Sequence, residues 1–164
     1  MRLRPLTGAD RGLLRAATLA NMNWVEQRFS VDDLDATTDL AHYYTEFDDG
    51  RDFGTAAVDG DEVTAVAWVV LLPEGQPGYG FVDPAVPELS ITTFAGHRGQ
   101  GLGTVVLDAV IAEARRRGLP GISLSVEDGN PARRLYERAG FRVVGRNGGS
   151  DTMHLDLDLD LDLD

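Results

Sequence analysis

A strand-like segment runs into a glycine-rich turn, and the turn leads straight into a long helical pattern. Residues 88–94 (ELSITTF) mix β-branched and apolar side chains, as strands do. The turn at 98–103 (RGQGLG) is followed by apolar residues at helical spacing to about residue 117. The combination predicts an α/β chain in which a strand is followed, after a short turn, by the N-terminus of a helix.

The glycines of this turn predict an anion site. The first amides of a helix have no partner within the helix, and they carry a partial positive charge. Glycine lets a ligand approach the backbone closely, and successive N–H groups then form a concave anion pocket. We therefore interpret residues 98–104 as a phosphate cradle to which Arg98 adds a full charge. A plain strand-to-helix turn is the alternative.

Two other classes of phosphate-binding protein fit the turn less well. The sequence lacks the Gly-Lys-Ser or Gly-Lys-Thr that a P-loop NTPase requires. The spacing is also not the G-x-G-x-x-G that opens the first βαβ unit of a dinucleotide-binding fold. A nucleotide-binding domain is therefore disfavoured. If the chain were one, ATP or NAD would compete with other ligands for the cradle.

Apolar periodicity and turn residues divide the chain into an ordered series of elements. Strands are expected at 2–6, 55–58, 63–72, 88–94, 122–126, 141–144 and from 152 onward. Helices are expected after Thr7, from Ser30 through Tyr44 with a stop at Gly50 and Gly54, at 101–117, and after Asn130-Pro131. Residues 73–87, punctuated by Pro and Gly, are predicted to be a mobile loop.

Charge is unevenly distributed along the chain. The net charge is -12, yet residues 97–146 hold nine arginines and five acidic residues, a net of +4 that leaves -16 for the rest. The acidic balance argues against nucleic acid as a partner. It suits an anionic ligand on the basic half and a cationic substrate on the acidic half. The alternative is that both halves are solvated surface.

Several absences narrow the class of protein. The sequence has no apolar run of about 18 residues, so we expect no membrane span. It also has no apolar signal region at its start and no cysteine, which together predict a cytoplasmic protein. His42, His97 and His154 are scattered without metal-ligand spacing, so we expect no metal.

Two motifs together resemble the GCN5-related N-acetyltransferase (GNAT) superfamily. The turn at 98–103 matches that family's Arg/Gln-x-x-Gly-x-Gly/Ala signature. A second block, 124–145, matches the family's next strand and helix at Asn130, Ala132, Leu135-Tyr136-Glu137 and Gly140-Phe141. The resemblance covers 88–146 in sequence and the rest in element order only.

The resemblance implies a fold and a domain plan. It implies a GNAT-type α/β (α+β) fold, whose mixed and mostly antiparallel central sheet has six to seven strands flanked by about four helices. The element order would be β1-α1-α2-β2-β3-β4-α3-β5-α4-β6-β7. Residues 1–164 would form a single N-acetyltransferase domain, with an acetyl-CoA-binding core at 88–146 and an acidic Leu-Asp strand or tail at 152–164.

The resemblance also implies acetyl-CoA as the cosubstrate and assigns its contacts. The diphosphate would lie on Arg98, Gly99, Gln100, Gly101, Leu102, Gly103 and Thr104. Backbone groups of a strand that splays from its neighbour would hold the pantetheine arm and the thioester oxygen; these residues are Ile91, Thr92, Thr93 and Phe94. Asn130 would contact the pantetheine amide, or would only cap its own helix. Thr93 stands where Val is commonest in the family.

Two residues are candidates for proton transfer. Tyr136 stands where family members carry a phenol that protonates the departing CoA thiolate; a core aromatic is the alternative. An alkyl ammonium with a pKa near 10.4 must lose a proton before it attacks. Glu88 is the candidate base for that proton, with an exposed strand-end acid as the alternative. Tyr79 and Asp83, in the preceding loop, are candidate substrate contacts.

The resulting hypothesis is an acetyl-CoA-dependent N-acetyltransferase that acetylates a primary amine of a small molecule or protein by direct attack in a ternary complex. The alternative is a non-catalytic acyl-CoA-binding or regulatory module with the same fold. The acidic balance favours a cationic acceptor such as a polyamine or an aminoglycoside.

Many family members form homodimers, and the sequence does not decide this point. The Leu-Asp tail lacks the glycines of a calcium-binding array, so we interpret it as a solvated strand end.

Overall fold

A computed structural model of the protein describes residues 1–158. The helices are α1 Arg11–Met22, α2 Val31–Ala36, α3 Thr38–Thr45, α4 Leu102–Arg116 and α5 Ala132–Ala139. The strands are β1 Arg2–Pro5, β2 Phe53–Asp59, β3 Glu62–Val70, β4 Glu88–Thr93, β5 Gly121–Glu127, β6 Arg142–Asn147 and β7 Ser150–Asp156. The predicted α/β class is confirmed. The strand or tail predicted at 152–164 coincides with β7 up to Asp156, and its residues 159–164 (LDLDLD) lie outside the described part.

The strands form one seven-stranded sheet in the order β1-β2-β3-β4-β5-β7-β6. Every neighbouring pair is antiparallel except β4 with β5. This parallel pair is short, since one pair of residues, Glu88 and Ser123, is in register. The Ser123 amide also donates to the Pro87 carbonyl at 3.0 Å. Beyond this point the two strands diverge, and a cleft opens between them.

Strand β3 explains why helices cover both faces of the sheet. Its segment 65–70 (AVAWVV) is an uninterrupted apolar run, and all six residues are 0% exposed. Ala65, Ala67 and Val69 pack into the core that α4 and α5 cover. Val66, Trp68 and Val70 pack into the core that α1 and α3 cover. Because strand side chains alternate between faces, such a run requires an apolar layer on each side.

The helix boundaries follow local capping chemistry, and they depart from the prediction in the segment after Ser30. Thr7 and Ser30 each form a capping box, with Asp10 and Asp33 respectively. The single helix predicted from Ser30 through Tyr44 is two helices, because Thr37 is extended at φ -103° and ψ 97°. The second of them ends at Thr45, before the predicted stop at Gly50. The chain therefore has five α-helices within residues 1–158 rather than about four.

Within residues 1–158, no helix combines the length and the apolar character needed to cross a bilayer.

Candidate functional site

The divergence of β4 from β5 creates a cleft of about 840 Å³. Residues of the glycine-rich turn and of α5 line one end, among them Arg98, Gly99 and Tyr136. The other end is lined by α1, by the segment after it and by α3. The glycine-rich end was predicted from sequence, and we call the other end the acceptor end because it lies away from the predicted diphosphate contacts.

Strand β4 presents an unpaired edge to this cleft. One edge pairs with β3 from Glu88 to Thr93. On the other edge, pairing with β5 is limited to Glu88 within the described residues. Backbone polar groups alternate between the two edges of a strand, so those beyond Glu88 on the open edge face the cleft. They are available to the polar groups of an extended ligand.

The glycine-rich turn has the geometry of an anion site. Gly99 and Gly101 have φ of 79° and 76°, a left-handed conformation that favours glycine. Open space lies where a side chain would stand at either position. Gly101 is the N-cap of α4, and its carbonyl accepts from Val105 N at 3.2 Å. The amides of residues 102–104 precede that bond and so lack a partner within the helix.

The predicted diphosphate residues divide by position. Arg98, Gly99 and Gly103 line the cleft. Gln100, Gly101 and Thr104 are exposed, whereas the Leu102 side chain is buried in the core, so its amide alone is available to a ligand.

The β4 residues divide in the same way. Ile91, Thr92 and Thr93 line the cleft. Phe94 packs against the core on the α1 and α3 side instead. The Thr92 hydroxyl donates toward the Ala17 carbonyl at 3.1 Å and Asn21 Oδ1 at 2.8 Å, so it is occupied by α1.

Asn130 and Tyr136 both reach the cleft. Asn130 Oδ1 accepts from Ala132 N at 3.0 Å. Helix α5 begins at Ala132 with Pro131 as its N-cap, so Asn130 lies one residue before the capping position predicted for it. Tyr136 is 8% exposed, and burial raises its pKa to about 12. Its ring packs against Phe141 with centroids 5.8 Å apart. The phenol therefore stays protonated at neutral pH, as a proton donor must.

Glu88 is buried and not the exposed strand-end acid of the alternative interpretation, since it is 3% exposed. Its Oε1 accepts from the Tyr43 hydroxyl at 3.0 Å and from Gly80 N at 2.8 Å. Its Oε2 accepts from Gly78 N at 2.9 Å. Burial raises the pKa of this carboxyl, and the three donors oppose that rise. The net direction is upward, toward the range in which a carboxylate is a more effective base.

Glu88 also anchors the loop that was predicted to be mobile. Its bonds to Gly78 N and Gly80 N are joined by a third, because Tyr79 N donates to the Tyr43 hydroxyl at 2.8 Å. The loop lies close against the sheet at Gly80, where an added Cβ would stand 2.5 Å from the carbonyl carbon of Leu124. Residues 78–80 are thus fixed to the cleft wall, so this part of the loop at 73–87 is anchored rather than mobile.

The two predicted substrate contacts in this loop are separated. Tyr79 lines the cleft and is 41% exposed. Asp83 is exposed in a turn, where its carboxylate accepts from Ala85 N at 2.8 Å, and it is not among the residues that line the cleft.

The acceptor end contains residues that the sequence did not single out. Met22, Trp24, Leu40 and Tyr43 line it together with Tyr79. Leu40 and Tyr43 lie on an apolar helical stripe, which by itself predicts core packing. Trp24 lies between two helices, where no periodicity exists to mark it. No local signal brings these segments together, so sequence analysis could not have found this wall.

The histidines lie apart from one another in the fold. His42 is buried in α3, and His97 Nε2 lies 2.9 Å from Glu62 Oε1 at the surface. Over residues 1–158, no group of three or more His, Cys, Asp or Glu side chains has the proximity needed to hold a metal ion.

Comparison with known proteins supports the sequence resemblance. A sequence profile described as the acetyltransferase (GNAT) family matches residues 18–141. Mycothiol acetyltransferase from Geodermatophilus obscurus is 37% identical over 87 residues, which are 52% of this chain and 27% of that protein. The chain thus spans about a quarter of the length of this relative.

Solved structures share the fold. The structure of yncA from Salmonella typhimurium with its cofactor acetyl-CoA has a TM-score of 0.66 at 24% identity, covering 96% of this chain and 94% of that one. The PaiA N-acetyltransferase from Thermoplasma acidophilum, in complex with coenzyme A, has a TM-score of 0.64 at 13% identity, covering 95% and 99%.

Proposed function

The chain belongs to the acetyltransferase (GNAT) family, and from that premise we propose that it transfers an acetyl group from acetyl-CoA to a primary amine by direct attack in a ternary complex. One observation carries the proposal: the cleft between β4 and β5 joins an unpaired strand edge to a glycine-rich helix N-terminus. We further propose that residues 1–164 act as one catalytic domain, with residues 88–146 forming its acetyl-CoA-binding core.

The residues of the cleft fit acetyl-CoA. The amides of 98–104 and the Arg98 guanidinium would hold the diphosphate, since both present positive charge to the same end of the cleft. The open edge of β4 at 91–93 would bond the amides of the pantetheine arm, and Asn130 would contact the arm from the opposite wall. The bound thioester supplies an activated acetyl carbon with a thiol leaving group, whose pKa is near 8.5.

Two side chains would handle the protons of the reaction. Glu88 would take a proton from the acceptor ammonium, directly or through water, because its pKa is raised and it lies at the base of the splay. The neutral nitrogen would then form a bond to the acetyl carbon as the carbon–sulfur bond breaks. Tyr136 would donate its phenolic proton to the departing sulfur. Burial raises the pKa of this phenol to about 12, so the proton is present at neutral pH. Positioning of the two reactants supplies most of the acceleration in such a transfer.

A matched pair of glycine variants tests the cofactor assignment. Gly101→Glu would add bulk and negative charge at the diphosphate, so we expect acetyl-CoA binding to be lost in calorimetry. Gly60→Glu is the control, since Gly60 also has a left-handed φ of 62° and open space but lies in the β2–β3 turn. Equal acetyl-CoA affinity in the two variants would refute the cradle.

A panel of primary amines tests the reaction itself. We expect release of free CoA thiol that depends on both acetyl-CoA and an amine. Saturable acetyl-CoA binding with no turnover on any amine would instead identify a non-catalytic acyl-CoA-binding module.

A further inference from the structure

The acceptor end of the cleft is mainly apolar and aromatic. Its walls carry the rings of Trp24, Tyr43 and Tyr79 and the aliphatic side chains of Met22 and Leu40. The Trp24 indole N–H is buried without a hydrogen-bond partner among residues 1–158, so no protein contact in that part of the chain engages it. Tyr43 is immobilised by its hydroxyl bonds to Glu88 and Tyr79 N. Burial of apolar ligand surface is the interaction that such a wall offers most strongly.

Charge is scarce in the same place. Among residues 1–158, three charged side chains line the cleft: Glu88, Arg98 and Glu127. Arg98 belongs to the glycine-rich end. Glu127 is already paired, because Arg28 donates to its two oxygens at 2.7 and 3.3 Å. Among the lining residues of the acceptor end, Glu88 is therefore the one carboxylate that no cation of the described chain pairs.

The pairing of Arg28 with Glu127 is built into the segment that carries Trp24. Asn23 closes this segment by accepting from Arg28 N at 2.8 Å and Phe29 N at 3.0 Å. The Arg28 guanidinium also donates to the Met22 carbonyl at 2.8 Å through Nε. These bonds hold Trp24 over the cleft and keep Glu127 neutralised, so both features of the acceptor end have one structural origin.

Resting on the proposed acetyl transfer, we propose that the acceptor is a primary monoamine attached to an apolar, aromatic body. The single ammonium group of the acceptor pairs with the Glu88 carboxylate, and its aromatic part lies against Trp24 and Tyr79. A polyamine or an aminoglycoside would carry further ammonium groups with no free carboxylate in this lining, and burying an unpaired charge is costly. The acidic balance of the whole chain therefore adds no further free carboxylate to the described lining of the acceptor end, although Asp39 acts on Tyr79 from outside that lining.

Three amines separate the possibilities under saturating acetyl-CoA. 2-Phenylethylamine carries a phenyl ring where propylamine carries a methyl group, and spermidine has several ammonium groups. We expect kcat/KM for phenylethylamine to exceed that for propylamine by at least about tenfold, as added apolar surface does in a hydrophobic pocket. We also expect it to exceed that for spermidine. A preference for spermidine, or equal use of the first two amines, would overturn the proposed acceptor class.

Variants of the Trp24 segment locate the preference. Trp24→Ala should reduce the ratio of phenylethylamine to propylamine severalfold, and Trp24→Phe should restore much of it. Val25→Ala is the matched control, because Val25 is the next residue, is 68% exposed and does not line the cleft. A ratio unchanged in Trp24→Ala would show that the ring binds elsewhere and would overturn the assignment.

Failure of the reaction and failure of the acceptor class are distinguishable. If no amine is acetylated, intrinsic fluorescence can be titrated with phenylethylamine in the presence of CoA, with Trp24→Ala as the blank. A saturable change in the wild-type chain that is absent from the blank would keep the acceptor class while removing acetyl transfer. No change in either protein would overturn both.

Discussion

Gly78 lies where the loop before β4 meets the buried carboxylate of Glu88. A methyl carbon added there would stand 2.3 Å from each carboxylate oxygen and 2.4 Å from the Tyr43 hydroxyl. These three atoms are held by the bonds that fix the loop, so none of them can withdraw freely. Gly78→Ala should therefore push the loop away from Glu88 rather than be absorbed locally.

The size of the effect follows from these distances. Relief of the clash requires a shift of roughly 1 Å, because carbon makes favourable contact only near 3.5 Å. Such a shift takes the 2.9 Å bond from Gly78 N out of hydrogen-bonding range. Losing one or two hydrogen bonds to a charged group, at about 1.5–3 kcal/mol each, should cost about 2–5 kcal/mol of unfolding free energy. For a chain of this size that corresponds to a fall in Tm of about 5–15 °C.

Urea unfolding at neutral pH measures this cost, with Gly75→Ala as the control. Gly75 belongs to the same loop, has open space around it, and should tolerate alanine within about 0.5 kcal/mol. A Glu88→Ala background removes two of the three oxygens that the methyl group meets and frees the third, the Tyr43 hydroxyl, from its bond to Glu88. Gly78→Ala should therefore cost much less there. If Gly78→Ala and Gly75→Ala unfold at the same urea concentration, the carboxylate does not anchor the loop.

Three further changes test other parts of the structure. Tyr136→Phe should lower kcat by about tenfold to a hundredfold while leaving acetyl-CoA affinity unchanged, because a positioned acid is lost and no cofactor contact is removed; normal turnover at every pH would exclude the phenol as the acid. Glu88→Gln should remove the acidic limb from the plot of kcat against pH. In the wild-type chain this limb should lie above the usual pKa range of glutamate, because burial raises the pKa of Glu88. An identical pH profile in the variant would exclude Glu88 as the base. Burial lowers the pKa of His42, so the unfolded chain takes up this proton first as pH falls. The stability that neutral His42 contributes is therefore complete above about pH 6.5 and is lost below it. His42→Leu should flatten the dependence of urea midpoints on pH in that range, and an unchanged slope would assign the acid sensitivity to other groups.

The glycine-rich end of the cleft could be predicted from the sequence because its groups are contiguous. An anion site made of successive backbone amides needs only a left-handed turn and a helix start, and both are encoded within residues 98–104. Tyr136 could be singled out for a similar reason, since the family motif that contains it lies within a few residues of Asn130 along the chain. The apolar residues at 63–72 likewise predicted a strand, and the structure shows β3 there, at Glu62–Val70.

The sequence by itself therefore predicted the family, the order of the strands and the glycine-rich end of the cleft, because each depends on local chemistry or on spacing within one segment. The tertiary structure alone decided that Glu88 is buried, that it holds the loop at Gly78 and Gly80, and that Trp24, Tyr43 and Tyr79 share one wall. Those facts depend on contacts between segments far apart in the chain. Such contacts are selected by the packing of the whole sheet and its helices, so no short stretch of residues contains them.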